Sequence, residues 1–437
     1  MHYTNIIMEG IVAIIPVAGL SSRMGSFKPL LPLNGFAMIE LTLQSVLYGG
    51  AEQVAFVTGR DAEEVEAVLS SRDTSAPSVK GLSAAPHLLP PQVTFVHNKD
   101  YASTDMLASI KLGLDALLGA DSAEGDSAKA SAAGASAAEA DVAESDSAKS
   151  TSIEAALVIP GDIPGVSPRS IASMLRAWKT SHAGVLVPTY KGTRGHPILI
   201  SKECFDAVMD FSGDGGLKQA LAGQTWQELE VDDEGILLDA DTPESFAQLK
   251  TYIERTRGVS REIAEELFLR YETPSHIHDH TNAVATTAQR MALQLNQLGY
   301  GLDVELCRSA GELHDVNRLE PKHSQVAADN LQALGYEAIA HIVREHDREL
   351  RLSPEMFTET NLVFLADKLI KESTLVSIEH RYEGAFKHFP PSTPIGKMIQ
   401  RDSGSARVLL AEYVRLTGDD ALTKGTIEIR RRDHAET

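Results

Sequence analysis

The stretch PVAGLSSRMGSFKPLLPL, residues 16–33, decides the fold of the first half of this chain. It follows the apolar run at residues 11–15, whose length and composition predict a buried β-strand. Gly19 and Gly25 let the backbone approach a bound group, so that loop N–H groups can face an anion. Arg23 and Lys28 add positive charge close behind. The stretch therefore predicts a phosphate-binding loop at the end of a buried strand.

Size and charge limit the classes of protein that fit. At 437 residues the chain exceeds what one hydrophobic core usually serves, which predicts two domains. A net charge of -21 argues against nucleic acid or an anionic membrane as a partner, because both favour an excess of Lys and Arg. A phosphate site must therefore be locally basic.

Cysteine usage and hydropathy indicate the compartment. Cys204 and Cys307 lie far apart in the sequence, which gives no support to a disulfide framework or a cysteine zinc site. The first residues lack a basic region, and no apolar stretch reaches the length that spans a membrane. We expect a soluble, cytoplasmic protein.

Strand-length apolar runs alternate with amphipathic segments in the first half. This alternation is typical of βαβ units and predicts an α/β domain with a mostly parallel sheet. The predicted strands are at residues 11–15, 54–57, 93–96, 155–159 and 184–187, and the clearest helices are at 38–48 and 62–69.

Two segments interrupt the α/β pattern. Residues 70–92 are rich in Ser, Ala and Pro, and residues 120–152 consist almost wholly of Ala, Ser, Asp, Glu and Gly. Neither can bury enough apolar surface to offset the cost of ordering, so both predict disordered insertions. For the Ala-rich segment, a fraying helix is the alternative.

From about residue 257 onward, helical periodicity replaces the strand pattern. A helix starting near Thr273 and Pro274 carries an apolar stripe that runs from His280 to Leu298 and stops at Gly299. The second domain is therefore predicted to be all-α. We place the boundary after a predicted helix at residues 243–255, which gives domains 1–256 and 257–437.

Two aspartates in the first domain are candidate metal ligands. Asp162, in Pro-Gly-Asp-Ile-Pro, follows a buried strand, at the sheet edge where ligands bind in α/β proteins. There it could hold Mg²⁺ against a triphosphate, or it could cap the helix that begins near Ser167. Asp241 could likewise be a second Mg²⁺ ligand or the N-cap before Pro243.

Together these motifs resemble, in order, those of the MobA-like nucleotidyltransferases, which have a Rossmann-like nucleotidyltransferase fold. The later pieces are Gly195-His196-Pro197, Gly213-Asp214-Gly215-Gly216 and Asp239-Ala240-Asp241-Thr242-Pro243. Thr104 and Asp105 stand where the family often has glycine. The resemblance implies catalytic roles for Arg23, Lys28 and Asp162, Mg²⁺ ligation by Asp162 and Asp241, a place for His196 on the acceptor side, and nucleotide contacts by Ala18, Gly19, Ser21, Gly25, Asn98 and Ser109.

The resemblance also implies a reaction. A terminal phosphate of the acceptor would attack the α-phosphorus of an NTP and expel pyrophosphate, with no protein nucleophile. Ala18-Gly19 in place of a Gly-Gly pair favours CTP over GTP, with molybdopterin or the molybdenum cofactor as acceptor and a molybdoenzyme or its chaperone as protein partner. A sugar phosphate or phospho-alcohol is the alternative acceptor.

Histidines and aspartates in the second domain fall on the inner faces of predicted helices. One such His is usually a satisfied core residue, but six ligand-type side chains on five inward stripes favour a metal site. These residues are His280, His314, Asp315, His323, His346 and Asp367.

The order of these residues resembles the HD-domain phosphohydrolases. His323 and His346 match the variant that holds two metals, and Asn317 replaces the glycine of the family's His-Asp-Ile-Gly motif. Imidazole and carboxylate ligands suit Fe, Mn, Zn or Ni, and a pair of such ions would activate water for attack on phosphorus. The alternative is a catalytically silent domain that senses a nucleotide and regulates the first domain.

Overall fold

The computed structural model describes residues 10–18, 27–70, 93–132, 152–346, 357–423 and 427–428, with the backbone alone described for 120–132 and 427–428. The first half alternates strands and helices. Its elements are β1 (Ile11–Pro16), β2 (Pro32–Leu33), β3 (Phe36–Ala37), α1 (Met38–Gly49), β4 (Gln53–Thr58), α2 (Ala62–Ser70), β5 (Val93–His97), α3 (Met106–Ala132), β6 (Ala155–Val158), α4 (Pro168–Ser181), β7 (Val185–Tyr190), β8 (Thr193–Arg194), β9 (Ile198–Ser201), α5 (Phe205–Met209), α6 (Gly216–Ala220), β10 (Trp226–Glu230) and α7 (Pro243–Thr256).

One mixed sheet organises this half. Its order is β10-β7-β9-β6-β1-β4-β5, with β8 paired to β7. Strands β6, β1, β4 and β5 are parallel neighbours, whereas β9 runs antiparallel to both β6 and β7. Apolar side chains form a separate core on each face of the sheet. The carboxyl ends of the four parallel strands therefore meet at one edge.

The α/β prediction is confirmed, and all five predicted strands exist. The sequence analysis did not predict β2, β3, β8 or β10. Residues 120–132 continue α3 as helix, so the expectation of disorder was wrong there and the helical alternative holds. Residues 71–92 and 133–151 lie outside the described part of the chain.

The second half is helical, as predicted. Three two-residue strands form a small antiparallel sheet that the sequence analysis did not anticipate. The elements are α8 (Arg261–Arg270), α9 (Ser275–Asn296), α10 (Val304–Leu313), α11 (His323–Ala333), α12 (Glu337–Glu345), α13 (Glu359–Leu369), β11 (Ile370–Lys371), β12 (Thr374–Leu375), α14 (Ile378–His388), α15 (Pro394–Thr417) and β13 (Ile427–Glu428).

Helices α9 and α10 pack against each other closely. A Cβ at Gly311, on α10, would lie 2.8 Å from the Cα of Ala285 on α9. Only a glycine fits this contact without moving a backbone. In the part of the chain that is described, no helix is long and apolar enough to cross a membrane.

The two halves share a buried junction. Arg257, which ends α7, places its Nε 2.7 Å from Oδ2 of Asp303, the N-cap of α10. Its Nη1 donates to Ser45 Oγ and Val166 O of the first half, both at 3.0 Å. Tyr48 of α1 packs into the core of the second half. The ends of α1 and α7 are thus fixed against the helical half.

Candidate active sites

Three predicted residues of the first half meet at the carboxyl edge of its sheet. The Lys28 ammonium lies 2.7 Å from Oδ1 of Asp241 and 3.6 Å from Oδ2 of Asp162. Lys28 is buried in a short 3₁₀ turn, Lys28–Leu30. Lys28 thus pairs with a carboxylate 213 positions later in the sequence and lies near a second one.

The local backbone explains how both aspartates reach this point. Gly161 crosses the end of β1 so closely that a Cβ would lie 2.3 Å from Cγ1 of Val17. Asp162 follows in the next position. Asp239 Oδ1 accepts a hydrogen bond from the Asp241 N–H at 3.2 Å, which holds that turn.

The capping alternatives for Asp162 and Asp241 are wrong. Ser167 caps α4 by accepting from the Ser170 N–H at 3.2 Å. Thr242 caps α7 by accepting from the Ser245 N–H at 3.1 Å. Neither aspartate is needed to begin a helix, so both carboxylates are available for chemistry.

The electrostatics of this cluster fit a divalent cation. Burial raises the pKa of Asp162, the Lys28 ammonium opposes that shift, and the charges of Asp241 and Asp239 add to it. Among the described residues, the Lys28 ammonium lies beside Asp162 and Asp241, and the Asp239 charge acts on Asp162. Oxygen ligands are those that Mg²⁺ prefers. The sequence analysis assigned no role to Asp239, although it stands two residues before Asp241 in the same motif.

Asn98 and Ser109, predicted to contact the nucleotide, lie together at the end of β5. Asn98 Nδ2 donates to Ser109 Oγ at 3.1 Å and to Thr104 Oγ1 at 3.0 Å. Its Oδ1 accepts from the Asp100 N–H at 3.1 Å. The Asn98 side chain therefore holds the turn before α3. Thr104 and Asp105, which depart from the family pattern, serve that turn and the start of α3, since Asp105 Oδ1 accepts from the Ala108 N–H at 3.0 Å.

The predicted phosphate-binding residues before Phe27 are described by the structure only in part. Ala18 is buried beyond the end of β1 and lies against Gly59. Gly19, Ser21, Arg23 and Gly25 lie outside the described residues. Their roles in phosphate binding stay predictions.

His196 lies on the Asp239 side of the cluster. The backbone N–H of His196 donates to Ile236 O at 2.9 Å, while the ring Nδ1 is buried without a hydrogen-bond partner. Burial lowers the pKa of His196, and the Asp239 charge only partly opposes this. Gly195 is required here, since its Cβ would lie 2.4 Å from Ile236 O. The imidazole is thus neutral at physiological pH.

The second half contains a polar cavity of about 160 Å³. His280 comes from α9, His314 and Asp315 directly follow α10, and Asp367 lies on α13. Ligand atoms of His280, His314 and Asp315 all lie within 4.8 Å of one another. The full lining is His280, His314, Asp315, Arg318, His346, Asp367, Lys368 and Arg381.

Backbone carbonyls orient the three histidines of this cavity. Nδ1 of His314 lies 2.8 Å from Gly311 O, Nδ1 of His280 lies 2.8 Å from Glu372 O, and Nδ1 of His346 lies 2.6 Å from Val343 O. A carbonyl oxygen can only accept, so each Nδ1 donates a proton to it, and Nε2 is the nitrogen left to bind a metal.

The donor set fits a transition metal. His314 Nε2 is buried without a hydrogen-bond partner. It lies 3.5 Å from Oδ2 of Asp315 and 3.9 Å from Oδ1 of Asp367, and His280 Nε2 lies 3.2 Å from the same Asp367 atom. Imidazoles whose other nitrogen donates to a carbonyl are typical metal ligands.

Charges in the cavity keep its ligands in the form that binds metal. Burial lowers the pKa of His314 to about 4, against the charges of Asp315 and Asp367. Burial alone would raise the pKa of Asp367, but Lys368, His280 and His314 hold it well below its usual value. The pKa of Asp315 is lowered in the same way, despite burial, by His314 and His323. At neutral pH His314 is therefore neutral and both carboxylates are ionised.

Of the two residues predicted for a second metal, His346 lines the cavity and His323 does not. His346 enters the cavity, with its ring 5.0 Å from that of His314. His323, at the start of α11, lies outside the cavity lining and places Nε2 3.1 Å from Oδ1 of Asp315. Asn317 Oδ1 accepts from Asn330 Nδ2 at 3.2 Å, which ties the turn after the His-Asp pair to α11.

Three cations at the cavity were missed by the sequence analysis. Lys368 Nζ lies 2.8 Å from Asp367 Oδ2, Arg381 Nη2 lies 3.6 Å from Asp367 Oδ1, and Arg318 Nη1 lies 3.3 Å from Asp315 Oδ1. Lys368 follows a predicted ligand directly, and Arg318 stands three residues after another. Arg381 lies on α14 and had no such signal.

Comparison with known families defines the class of this protein. The family model of the MobA-like NTP transferase domain matches residues 13–229, and that of the HD domain matches residues 277–371. The chain therefore carries a MobA-like NTP transferase domain in its first half and an HD domain in its second half.

Individual relatives refine this result. The molybdenum cofactor cytidylyltransferase of Escherichia coli (strain K12) is 24% identical over 243 residues, which cover 56% of this chain and 97% of the relative. An uncharacterized protein of Methanocaldococcus jannaschii is 32% identical over 121 residues, 24% of this chain and 72% of the relative. A solved nucleotidyl transferase from Methanothermobacter thermautotroptrophicus is 23% identical, with a TM-score of 0.38, over 56% of this chain and 98% of its own.

Proposed function

We propose that the first domain transfers CMP, in preference to GMP, from an NTP to molybdopterin or the molybdenum cofactor and releases pyrophosphate. The observation that carries the proposal is the Lys28 ammonium held between Asp162 and Asp241 at the carboxyl edge of the sheet. The similarity to a molybdenum cofactor cytidylyltransferase supports this acceptor. A molybdoenzyme or its chaperone would receive the product.

The mechanism needs charge and position more than a protein nucleophile. Asp162 and Asp241 would hold Mg²⁺, which when bound orients the triphosphate and neutralises its charge. Lys28 turns its ammonium from the carboxylates to the phosphates. An acceptor phosphate oxygen forms a bond to the α-phosphorus as the bond to the β-phosphate oxygen breaks. His196, neutral, donates or accepts on the acceptor side without adding charge.

A substrate panel tests this proposal. The purified chain is incubated with CTP, GTP, ATP or UTP and molybdopterin, and pyrophosphate and the dinucleotide product are measured by mass spectrometry. We expect turnover with CTP above that with GTP. Parallel reactions contain sugar phosphates or phospho-alcohols. Turnover with one of these but none with molybdopterin would overturn the proposed acceptor while leaving nucleotidyl transfer in place.

We propose further that the HD domain is a metal-dependent phosphohydrolase. His280, His314, Asp315 and Asp367 would hold one Fe, Mn, Zn or Ni ion, and His346 and His323 would contribute to a second. Such ions lower the pKa of bound water, which supplies the nucleophile. The carbonyl contacts of His280, His314 and His346 fix the rings for this task.

Elemental analysis tests the metal site. Protein expressed with iron, manganese and zinc should retain transition metal, and His314→Ala or Asp315→Ala should lose it, because a lost ligand leaves the others unable to hold the ion. His323→Ala and His346→Ala should lower the stoichiometry toward one ion. His341→Ala, at an exposed position of α12, is the matched control. Wild-type protein without metal would favour the regulatory alternative.

A further inference from the structure

The HD cavity presents an unusual excess of positive charge. Arg318, Lys368 and Arg381 reach it from the turn after α10, the end of α13 and from α14. Their side chains are 48%, 11% and 28% exposed, so two of the three are largely withdrawn from water. Partly buried cations attract anions more strongly than exposed ones do.

The charge of the cavity selects for a highly charged anion. Among the described residues of the lining, three cations face two carboxylates, Asp315 and Asp367, and an imidazole that binds a metal carries no charge. Each divalent ion would add two further positive charges. A singly or doubly charged phosphate ester leaves this excess uncompensated, whereas an inorganic polyphosphate balances it.

The size and lining of the cavity argue against a nucleoside. Its volume of about 160 Å³ is well below the ~300 Å³ at the lower end of sites that enclose drug-sized ligands. Among the described residues that line it, all are charged or carry an imidazole. A base would need an aromatic or apolar surface to stack upon, and the aromatic groups in the described lining are the three imidazoles assigned to the metal.

We propose that the HD site hydrolyses inorganic pyrophosphate, the product that the first domain releases. This inference rests on the proposed function of both domains. Water attacks one phosphorus and forms a new P–O bond as the bridging P–O bond breaks. The bridging oxygen takes up a proton and leaves with the second phosphate, so that one pyrophosphate and one water yield two orthophosphates. Arg318, Lys368 and Arg381 hold the anion.

Such an activity places the two domains in consecutive reactions. Nucleotidyl transfer is readily reversible as long as pyrophosphate accumulates, because the bond broken and the bond formed are both phosphoanhydrides. Removing pyrophosphate within the same chain would draw the transfer toward product.

The test uses the full chain loaded with Mn²⁺ and supplied with pyrophosphate alone. Without NTP, orthophosphate release reports only hydrolysis. Asp315→Asn should abolish it, whereas Lys28→Ala should retain it. Arg381→Ala should raise KM for pyrophosphate about tenfold or more, the scale of one charge-assisted hydrogen bond, and Arg381→Lys should recover part of this. Arg407 lies on α15 and forms an exposed pair with Glu379 of α14. Arg407→Ala should leave pyrophosphate hydrolysis unchanged.

A binding measurement separates anion recognition from catalysis. Calorimetry follows methylenediphosphonate, a non-hydrolysable pyrophosphate analogue, with the Asp162→Asn and Lys28→Ala double variant, in which the first site is impaired. We expect one binding event that Arg381→Ala weakens. Hydrolysis of nucleoside monophosphates but not pyrophosphate would overturn this inference and leave the phosphohydrolase standing. Absence of bound metal and of any phosphatase activity would overturn the phosphohydrolase itself.

Discussion

Lys28 is the residue on which the first site depends most, because two carboxylates share its ammonium. We expect Lys28→Ala and Asp162→Ala to leave the fold intact and to reduce nucleotidyl transfer by ~100-fold or more, the scale of one lost electrostatic stabiliser. Pyrophosphate release under saturating NTP measures this loss, and circular dichroism reports the fold.

Lys250→Ala is the matched control for this loss. Lys250 lies on α7 of the same domain and forms an exposed pair with Glu254, so its removal should leave transfer unchanged. Near-normal turnover in Lys28→Ala or Asp162→Ala would remove that residue from the active site.

His314 should make the metal-free protein sensitive to mild acid. Its pKa is about 4 in the folded chain, against an ordinary value of 6.5. Between these values the unfolded state binds a proton that the folded state does not, so stability falls as the pH drops through this window. From pH 7 to pH 5 the free energy of unfolding should decrease by ~2 kcal/mol on this account. Urea denaturation in the presence of a chelator measures the slope.

Replacing the imidazole isolates its contribution to that slope. His314→Asn should flatten the pH dependence between 6.5 and 4, whereas His341→Asn at the exposed position should keep the wild-type dependence. Identical slopes in all three proteins would show that His314 does not titrate as its burial requires.

At the scale of elements, the contact between the end of α7 and the start of α10 buries a pair of opposite charges at the junction. Arg257 and Asp303 have side chains only 3% and 8% exposed. Burial raises the pKa of Asp303, and the Arg257 guanidinium opposes this. Removing one partner of such a pair costs about 3–5 kcal/mol. We therefore expect Arg257→Met to destabilise the chain by that amount in urea denaturation.

Two further variants test whether the loss of stability in Arg257→Met comes from the buried pair. Arg257→Met combined with Asp303→Asn should recover part of the lost stability, because no unpaired charge remains buried. Arg255→Ala, two residues earlier and in exposed pairs with Glu234 and Glu337, should change stability by less than ~0.5 kcal/mol. Equal effects at positions 255 and 257 would contradict the buried pair.

The elements that could be predicted are those with local signals. The central strands are continuous apolar runs because both faces of the sheet are covered. Strand β10, at the edge, reads Trp-Gln-Glu-Leu-Glu and has two consecutive polar residues, so its composition resembles a loop. The capping alternative stayed open for Asp241 because Thr242, the observed cap, is its direct neighbour, and only the folded turn decides between the two.

At the scale of the whole molecule, the shared junction should link the stability of the two domains. Both tryptophans, Trp178 and Trp226, lie in the first domain, so their fluorescence reports its unfolding alone. Metal bound to the HD domain stabilises that domain, and through the shared junction it should also stabilise the first domain. We expect Mn²⁺ to raise the tryptophan-monitored melting temperature, and His314→Ala to lose most of that increase. An equal increase in His314→Ala would assign it to Mn²⁺ in the first domain.

The two sites differ in how far sequence could define them. Asp162 and Asp241 each lie in a short motif that can be recognised in the sequence. The shared edge of a parallel sheet brings such motifs together. The HD ligands were predictable because helical periodicity turns them inward. Arg381, by contrast, reaches the cavity only through the way α14 packs on α13, and this packing leaves no pattern in the sequence around it.

Gly311 joins two properties that are usually independent. Its missing side chain lets α10 approach α9, and its carbonyl oxygen orients His314. The distance between α9 and α10 and the orientation of the His314 imidazole are therefore coupled. A methyl group added at residue 311 would push the two helices apart. It would thereby also shift the carbonyl oxygen that orients the His314 ring.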